Sequence, residues 1–279
     1  MKKSILYFFF LILVSCNHYG QLTLVSNLSK SLKEVSGNEI VINSNLIWMI
    51  NDSGNKSEVY GVNQQGKIEK VVKVKAKNHD WEDLTSDELG NLYIGDFGNN
   101  NHKRKNLRIL KIINSDLLNA KKVEIEKISF KYPQLNGGKK TAYDAESFFY
   151  LNGSFYIFTK SRLKKNYGKT LLFKIPATLG NHIAKYVSEY TTCKYASCRI
   201  TSAAISPNKQ KVVLLNHDSI LMFTNFTTDN FFKGTLEKVG LGFASQKEGV
   251  CFKDNTTLFI TDEKSNAKGR NLYQFTLKE

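Results

Sequence analysis

Five times along the chain an apolar, strand-like run gives way to a turn and then to a second such run. The first runs are EVSGNEIVI at 34–42, DWEDLTSD at 80–87, DAESFFYL at 144–151, TSAAISPN at 201–208 and KEGVCFKD at 247–254. The second runs are LIWMIND, NLYIGDF, SFYIFTK, KVVLLNH and TLFITDE. Between them stand turn formers such as Glu88-Leu89-Gly90-Asn91, Asn152-Gly153, Pro207-Asn208-Lys209 and Asp254-Asn255, which is hairpin chemistry. Third strands follow as EVYGVN, NLRILKI, TLLFKIP, ILMFTN and NLYQFTL. Fourth strands, KIEKVVKV, KVEIEKISF, IAKYVSEY and TLEKVGLGF, alternate apolar and charged residues, as outer strands with one wet face do.

The fifth copy ends after its third strand, and QLTLVSNL at 21–28 can supply the missing fourth. Pairing the two ends of the chain would close a ring and remove an exposed sheet edge. The predicted fold is therefore all-β: a β-propeller of five four-stranded blades, with the N-terminal strand closing the last blade. Six blades are the alternative, because Ile109–Tyr143 and Lys174–Arg199 are long enough to hold further strands. A β-sandwich or an open solenoid has the same strand count without explaining the complementary ends. No sizeable helix is expected.

The polar positions repeat as well. Glu82 and Asp96, Glu146 and Lys160, Ser202 and Asn216, and Glu248 and Asp262 are each 14 positions apart; Glu34 and Asp52 form a fifth pair across a longer turn. Out along one strand and back along the next returns the chain to one end of the sheet, so these pairs are expected at one mouth of the central channel. The expected ligand-binding set is Glu34, Asp52, Glu82, Asp96, Glu146, Lys160, Asn216, Glu248 and Asp262, with Asp80, Asp83, Asp144 and Glu263 adding carboxylate to the rim. So many carboxylates repel one another unless a cation intervenes. The expected cofactor is Ca²⁺, which accepts six to eight oxygen ligands, with Glu34, Glu82, Glu146 and Glu248 as candidate metal ligands. The loops Asn51-Asp52-Ser53-Gly54-Asn55 and Gly95-Asp96-Phe97-Gly98-Asn99-Asn100 offer further oxygens, although neither matches an EF-hand. Against this stands the ordinary use of Asp and Asn as turn and inter-strand hydrogen-bond partners.

The chain opens with MKKSILYFFFLILVSCNHYG. Lys2 and Lys3 precede an apolar run too short to span a bilayer, which reads as a signal peptide over 1–15. Leu13-Val14-Ser15-Cys16 resembles the lipobox of bacterial lipoproteins, which implies acylation of Cys16, a tether over 16–20 and one propeller domain over 21–279. An ordinary cleaved signal is the competing reading. Asn17 after the cysteine lacks the aspartate of inner-membrane retention, so the expected location is the outer membrane of a Gram-negative envelope, with the side left open. Cys193 and Cys198 can bridge locally; Cys251 remains. No zinc-type spacing of His and Cys is present.

Formal net charge is +15, or +13 without Lys2 and Lys3. Expected partners are the membrane, through the lipid, and an anionic small molecule, glycan or envelope protein; nucleic acid is disfavoured by export, and the chain is expected to be a monomer. The loops at 99–106, 160–169 and 263–270 would give the acidic mouth a basic rim. Catalytic candidates are Glu146, His217 and Lys160, without a recognisable triad.

With Asn51-Asp52-Ser53-Gly54-Asn55, Asp80-Trp81-Glu82-Asp83-Leu84, Gly95-Asp96-Phe97-Gly98, Asp144-Ala145-Glu146 and Gln246-Lys247-Glu248-Gly249 in order, the chain resembles a largely uncharacterised bacterial group of secreted or lipidated propeller proteins. More distantly it is similar to calcium-dependent propeller hydrolases: lactonases, phosphotriesterases and esterase-like phytases. That resemblance implies a channel metal held by Glu34 and Glu248, with Asn216 and Asp262 as companions, although those lactonases have six blades and share no continuous motif with this chain. Two functions follow: a lipid-anchored envelope module that binds a ligand or partner at an acidic, calcium-loaded mouth, and a metal-dependent hydrolase of phosphate or carboxylate esters.

Overall fold

The computed structural model describes residues 19–133, 143–162, 166–265 and 268–278. Cys16 and the signal segment lie outside the described residues, as do parts of the loops at 160–169 and 263–270. Strand β1 (Thr23–Asn27) pairs with the last strand, β22 (Asn271–Thr276), so the ends of the chain close the ring as the sequence predicts. Blade 1 contains β2 (Val35–Ile40), β3 (Ile47–Asn51), β4 (Glu58–Val62) and β5 (Ile68–Val74). Blade 2 contains β6 (Trp81–Ser86), β7 (Leu92–Asp96), β8 (Leu107–Ile112) and, after α1 (Asn114–Asn119) and β9 (Lys122–Val123), β10 (Glu126–Lys131).

Blade 3 is built from β11 (Tyr143–Leu151), β12 (Ser154–Ser161), β13 (Lys169–Pro176) and, beyond β14 (Gly180–Ile183), β15 (Lys185–Thr191). Blade 4 holds β16 (Ser202–Ile205), β17 (Val212–Leu215), β18 (Ser219–Thr224) and β19 (Thr235–Gly240). Blade 5 holds β20 (Lys247–Phe252), β21 (Thr257–Asp262), β22 and β1. The molecule is a five-bladed β-propeller.

The two long intervals that left room for a sixth blade do something else. Lys122-Val123, read as the start of a fourth strand, instead runs parallel to β5 at the edge of blade 1. Likewise β14 runs parallel to β10 at the edge of blade 2. Each connection thus covers the outer edge of the preceding blade before entering its own, which pairs backbone groups that an outer strand would leave open.

Five apolar clusters fill the five gaps between neighbouring blades. Middle strands serve two gaps at once: Ile47 and Met49 of β3 face blade 5, while Trp48 and Ile50 face blade 2. This explains why second strands read as unbroken apolar runs rather than alternating ones. Inner strands crowd the axis so closely that a Cβ on Gly37 would sit 2.8 Å from the Asp83 Cα. Glycine is required there by space alone. Tyr19, the first described residue, packs its ring edge-on against Phe243 at 5.3 Å. Cys193 and Cys198 form a disulfide, and Cys251 is free and buried. Among the described residues no helix is long and apolar enough to cross a membrane.

Candidate functional site

Four of the five inner strands carry a bulge where they enter the channel. Register shifts fall between Val35 and Gly37, Trp81 and Leu84, Ala145 and Ser147, and Lys247 and Gly249. An extra residue at a bulge is freed from the ladder and re-aimed. Here the inserted residues include Ser36, Glu82, Glu146 and Glu248, and all four line one cavity of about 150 Å³ at the channel mouth. Asp52, Lys160 and Glu263 come from second strands or the loops after them, and Arg162, Asn100 and Gln246 complete the wall.

Five of the nine expected ligand residues therefore meet: Asp52, Glu82, Glu146, Lys160 and Glu248. The other four do not line the cavity. Glu34 lies two residues ahead of the bulge, where it accepts a hydrogen bond from Asn55 and pairs with Lys33 at 3.2 Å; Ser36 occupies the place that the sequence assigned to it. Asp96 is fully buried against Arg104 and Arg108 at 2.9 and 2.7 Å. Asp262 accepts hydrogen bonds from the Asn271 N–H and the Tyr273 hydroxyl. Asn216 accepts from the Ser219 N–H at 2.7 Å and shapes a turn.

The 14-residue interval failed at these positions for a reason of register. Asn51, Asp96, Thr159 and Asp262 pair with the residue just before each bulge, and their side chains face into the blade. The next residue, Asp52, Phe97, Lys160 or Glu263, faces the opposite way. Because the turns differ in length, one count lands on Lys160 in blade 3 and on the buried position in blades 2 and 5. A slip of one residue exchanges the faces of a strand.

Ser202, the exception in the acidic pattern, lies at the channel waist. Its hydroxyl donates to the Asp83 carboxylate at 3.2 Å and accepts from the Val250 N–H at 3.0 Å. Asp83 also accepts from the N–H groups of Leu84, Phe148 and Ala203. One carboxyl group thus ties blades 2, 3 and 4 across the axis. Burial raises its pKa well above the ordinary value.

The carboxylates of the mouth fall into two overlapping groups, Asp52, Asp80 and Glu82, and Glu82, Asp144 and Glu146; within each, one oxygen per residue lies within 4.8 Å of the others. Their electrostatics differ. In the second group Lys160 forms an ion pair with Glu146, and Arg162 reaches Glu146 at 2.8 Å and Asp144 at 2.6 Å. Burial opposes the Glu146 charge, but Lys160 and Arg162 outweigh it and hold Glu146 below its usual range. Asp144 is raised to about 7 by burial and then by Glu146, despite Arg162. Burial works against Lys160 too, yet Glu146 and Glu248 keep it charged and raise it. Glu146 and Lys160, both catalytic candidates from the sequence, therefore neutralise one another.

No member of the first group forms an ion pair among the described residues, although Arg104 acts on Asp80 and Lys160 on Glu82, the residue the two groups share. Burial, followed by the neighbouring acids, raises Asp52 to about 7 and pushes Glu82 well above its usual value; Asp80 is also raised, chiefly by burial. Glu82 is 7% exposed and accepts no hydrogen bond among the described residues. Gly98 makes room for it, since a Cβ there would run into the Glu82 and Asp80 carboxyl groups. Glu34 and Glu248, expected as metal ligands, belong to neither group. Glu248 instead lies 3.5 Å from His217 Nε2.

No family model matches the chain, and no curated protein matches it in sequence. Solved structures do. A gluconolactonase from Xanthomonas campestris superposes with a TM-score of 0.51 at 9% identity, over 92% of this chain and 89% of that one. A streptogramin B lyase gives 0.47 at 13% identity, over 92% and 87%. A chain of a nidogen/laminin complex gives 0.48 at 9%, over 82% and 72%. At these identities the likeness is one of fold.

Proposed function

We propose that this protein is a lipid-anchored propeller of the bacterial cell envelope that holds a divalent cation at its acidic mouth and binds a ligand or partner there. The observation that carries the cation is Glu82: a buried carboxyl group without a hydrogen-bond donor among the described residues, facing Asp52 and Asp80. Taking three carboxylates out of water is costly unless positive charge is supplied, and the nearby cations Arg104 and Lys160 are already ion-paired with Asp96 and Glu146. The donor set is all oxygen, which suits a hard cation and favours Ca²⁺ over Zn²⁺. A bound cation would keep open positions toward the cavity for carboxylate, phosphate or hydroxyl oxygens of a ligand. Residues 2–16, with their charged start, apolar run and cysteine, support the anchor at Cys16 and an outer-membrane location.

The alternative is a metal-dependent hydrolase of phosphate or carboxylate esters, and the His217–Glu248 contact at the same mouth favours it. His217 would take the proton from a water polarised by the cation, with Glu248 orienting the ring. Calcium titration by calorimetry, with and without Glu82→Gln, tests the cation site. Turnover of generic phosphoesters and lactones that is abolished by chelator and by His217→Ala would select the hydrolase. Cation binding without turnover would leave the binding module.

A further inference from the structure

Away from the mouth, the outer part of blade 2 carries two adjoining cavities of about 660 and 360 Å³. They share Lys105, Asn106 and Arg108, and so form one continuous trough. Among the described residues no carboxylate lines either. Ser129 on β10 stands in register with Arg108 on β8 and Asn181 on β14, and Lys127 and Lys131 follow at two residues to either side on the same sheet face. Lys103 and Lys105 close the other end.

The charges divide into fixed and free. Arg104 and Arg108 both bind Asp96, two cations to one buried carboxylate, so the floor keeps a positive excess. Lys103, Lys105, Lys127 and Lys131 are exposed and make no ion pair or hydrogen bond among the described residues. Elsewhere on the surface lysines do find acids, as Lys111 does with Glu126 and Lys169 with Glu189. Four unpaired ammonium groups along a walled trough create a positive potential that an anionic chain lying between them would neutralise.

We propose that this trough binds a linear anionic polysaccharide. A walled trough suits a chain: planar lipid headgroups would meet its rims without reaching Ser129 or Arg108. Base stacking needs exposed aromatic faces: Phe130 is 4% exposed, and the His79 and His182 rings of the lining are tied to Arg108 and to the Thr178 carbonyl. A peptide would need pockets for its side chains, whereas the lining is mostly ammonium, guanidinium, amide and hydroxyl groups. Those groups match the acids and hydroxyls of a charged sugar chain.

The test is calorimetric titration of the purified chain with a heparin-derived dodecasaccharide at several salt concentrations. Lys127→Glu with Lys131→Glu should weaken binding about ten-fold or more and flatten its salt dependence. Lys233→Glu with Lys238→Glu, both exposed on blade 4, makes the same charge change and should cost less than about two-fold. Alanine at 127 and 131 gives the same direction if the glutamates impair folding. Chelator should have no effect, which separates this surface from the channel mouth. No binding, equal losses in the two double variants, or equally tight binding of polyglutamate or anionic phospholipid vesicles would overturn the proposal.

Discussion

If a cation is coordinated by Asp52, Asp80 and Glu82, its binding must expel protons. At pH 7 Asp52, with its pKa raised to about 7, is half protonated, and Glu82, raised well above its usual value by burial and then by the neighbouring acids, holds its proton more tightly than an ordinary glutamate. Ligation by Asp52 as a carboxylate therefore releases about 0.5 proton per ion at pH 7, and ligation by Glu82 adds to it. Calorimetry at pH 7 in two buffers of different ionisation enthalpy reads this number directly from the slope of the observed heat. Affinity should also rise with pH, by about ten-fold or more between pH 6 and 8. At a hundred-fold excess over the dissociation constant the ion should stabilise the fold by about 2.7 kcal/mol, which for a chain of this size raises Tm by about 5 to 10 °C. Glu82→Gln should abolish the shift, because it removes one of the three ligating carboxyl groups. Calcium binding with no proton release, or binding untouched by Glu82→Gln, would refute the reasoning.

Without a cation the mouth should respond to pH by itself. Asp52, Asp144 and Glu263 have folded pKa values raised to about 7, 7 and 8, first by burial, so the folded state holds protons that the unfolded chain releases near pH 4. Stability should be greatest in mild acid and fall as pH rises from about 4 to 8, as thermal melts in chelator can show. Asp83→Ala orphans donors from three blades at the waist and should cost about 2 to 4 kcal/mol in urea unfolding, with an unchanged m value. Gly98→Ala should weaken calcium affinity about ten-fold or more by displacing Glu82, with a smaller effect on Tm. Reducing Cys193–Cys198, which closes a loop of sequence separation 5, should cost about 2 kcal/mol by the same denaturation assay.

Blade count, strand order and ring closure were all legible because they depend on period and composition. Apolar runs of strand length must pack between neighbouring sheets, and an unpaired first strand must find the unpaired last blade. The acidic mouth was legible in outline too, since glutamates are costly at inner-strand positions unless they serve something. What the pattern could not give was the face of each residue. Asp52 and Asp96 look equivalent along the chain, yet one lines the cavity and the other is buried against Arg104 and Arg108. That choice depends on bulges and turn lengths, which shift register by single residues and leave little mark on hydropathy.

The chain by itself thus determined that this is a ring of five repeated sheets with carboxylates gathered at one end, because periodicity is a local property. Tertiary structure alone decided which carboxylates remain without a counter-charge. Lys160 and Arg162 reach across to Glu146 and Asp144, and Arg104 to Asp96, so Asp52, Asp80 and Glu82 are left without an ion pair among the described residues. Ser202 answers Asp83 from 119 residues away, across the axis. Both results turn on distances of a few ångströms between segments remote in sequence. Coulomb energy and hydrogen bonding depend on those distances, and spacing along the chain does not fix them.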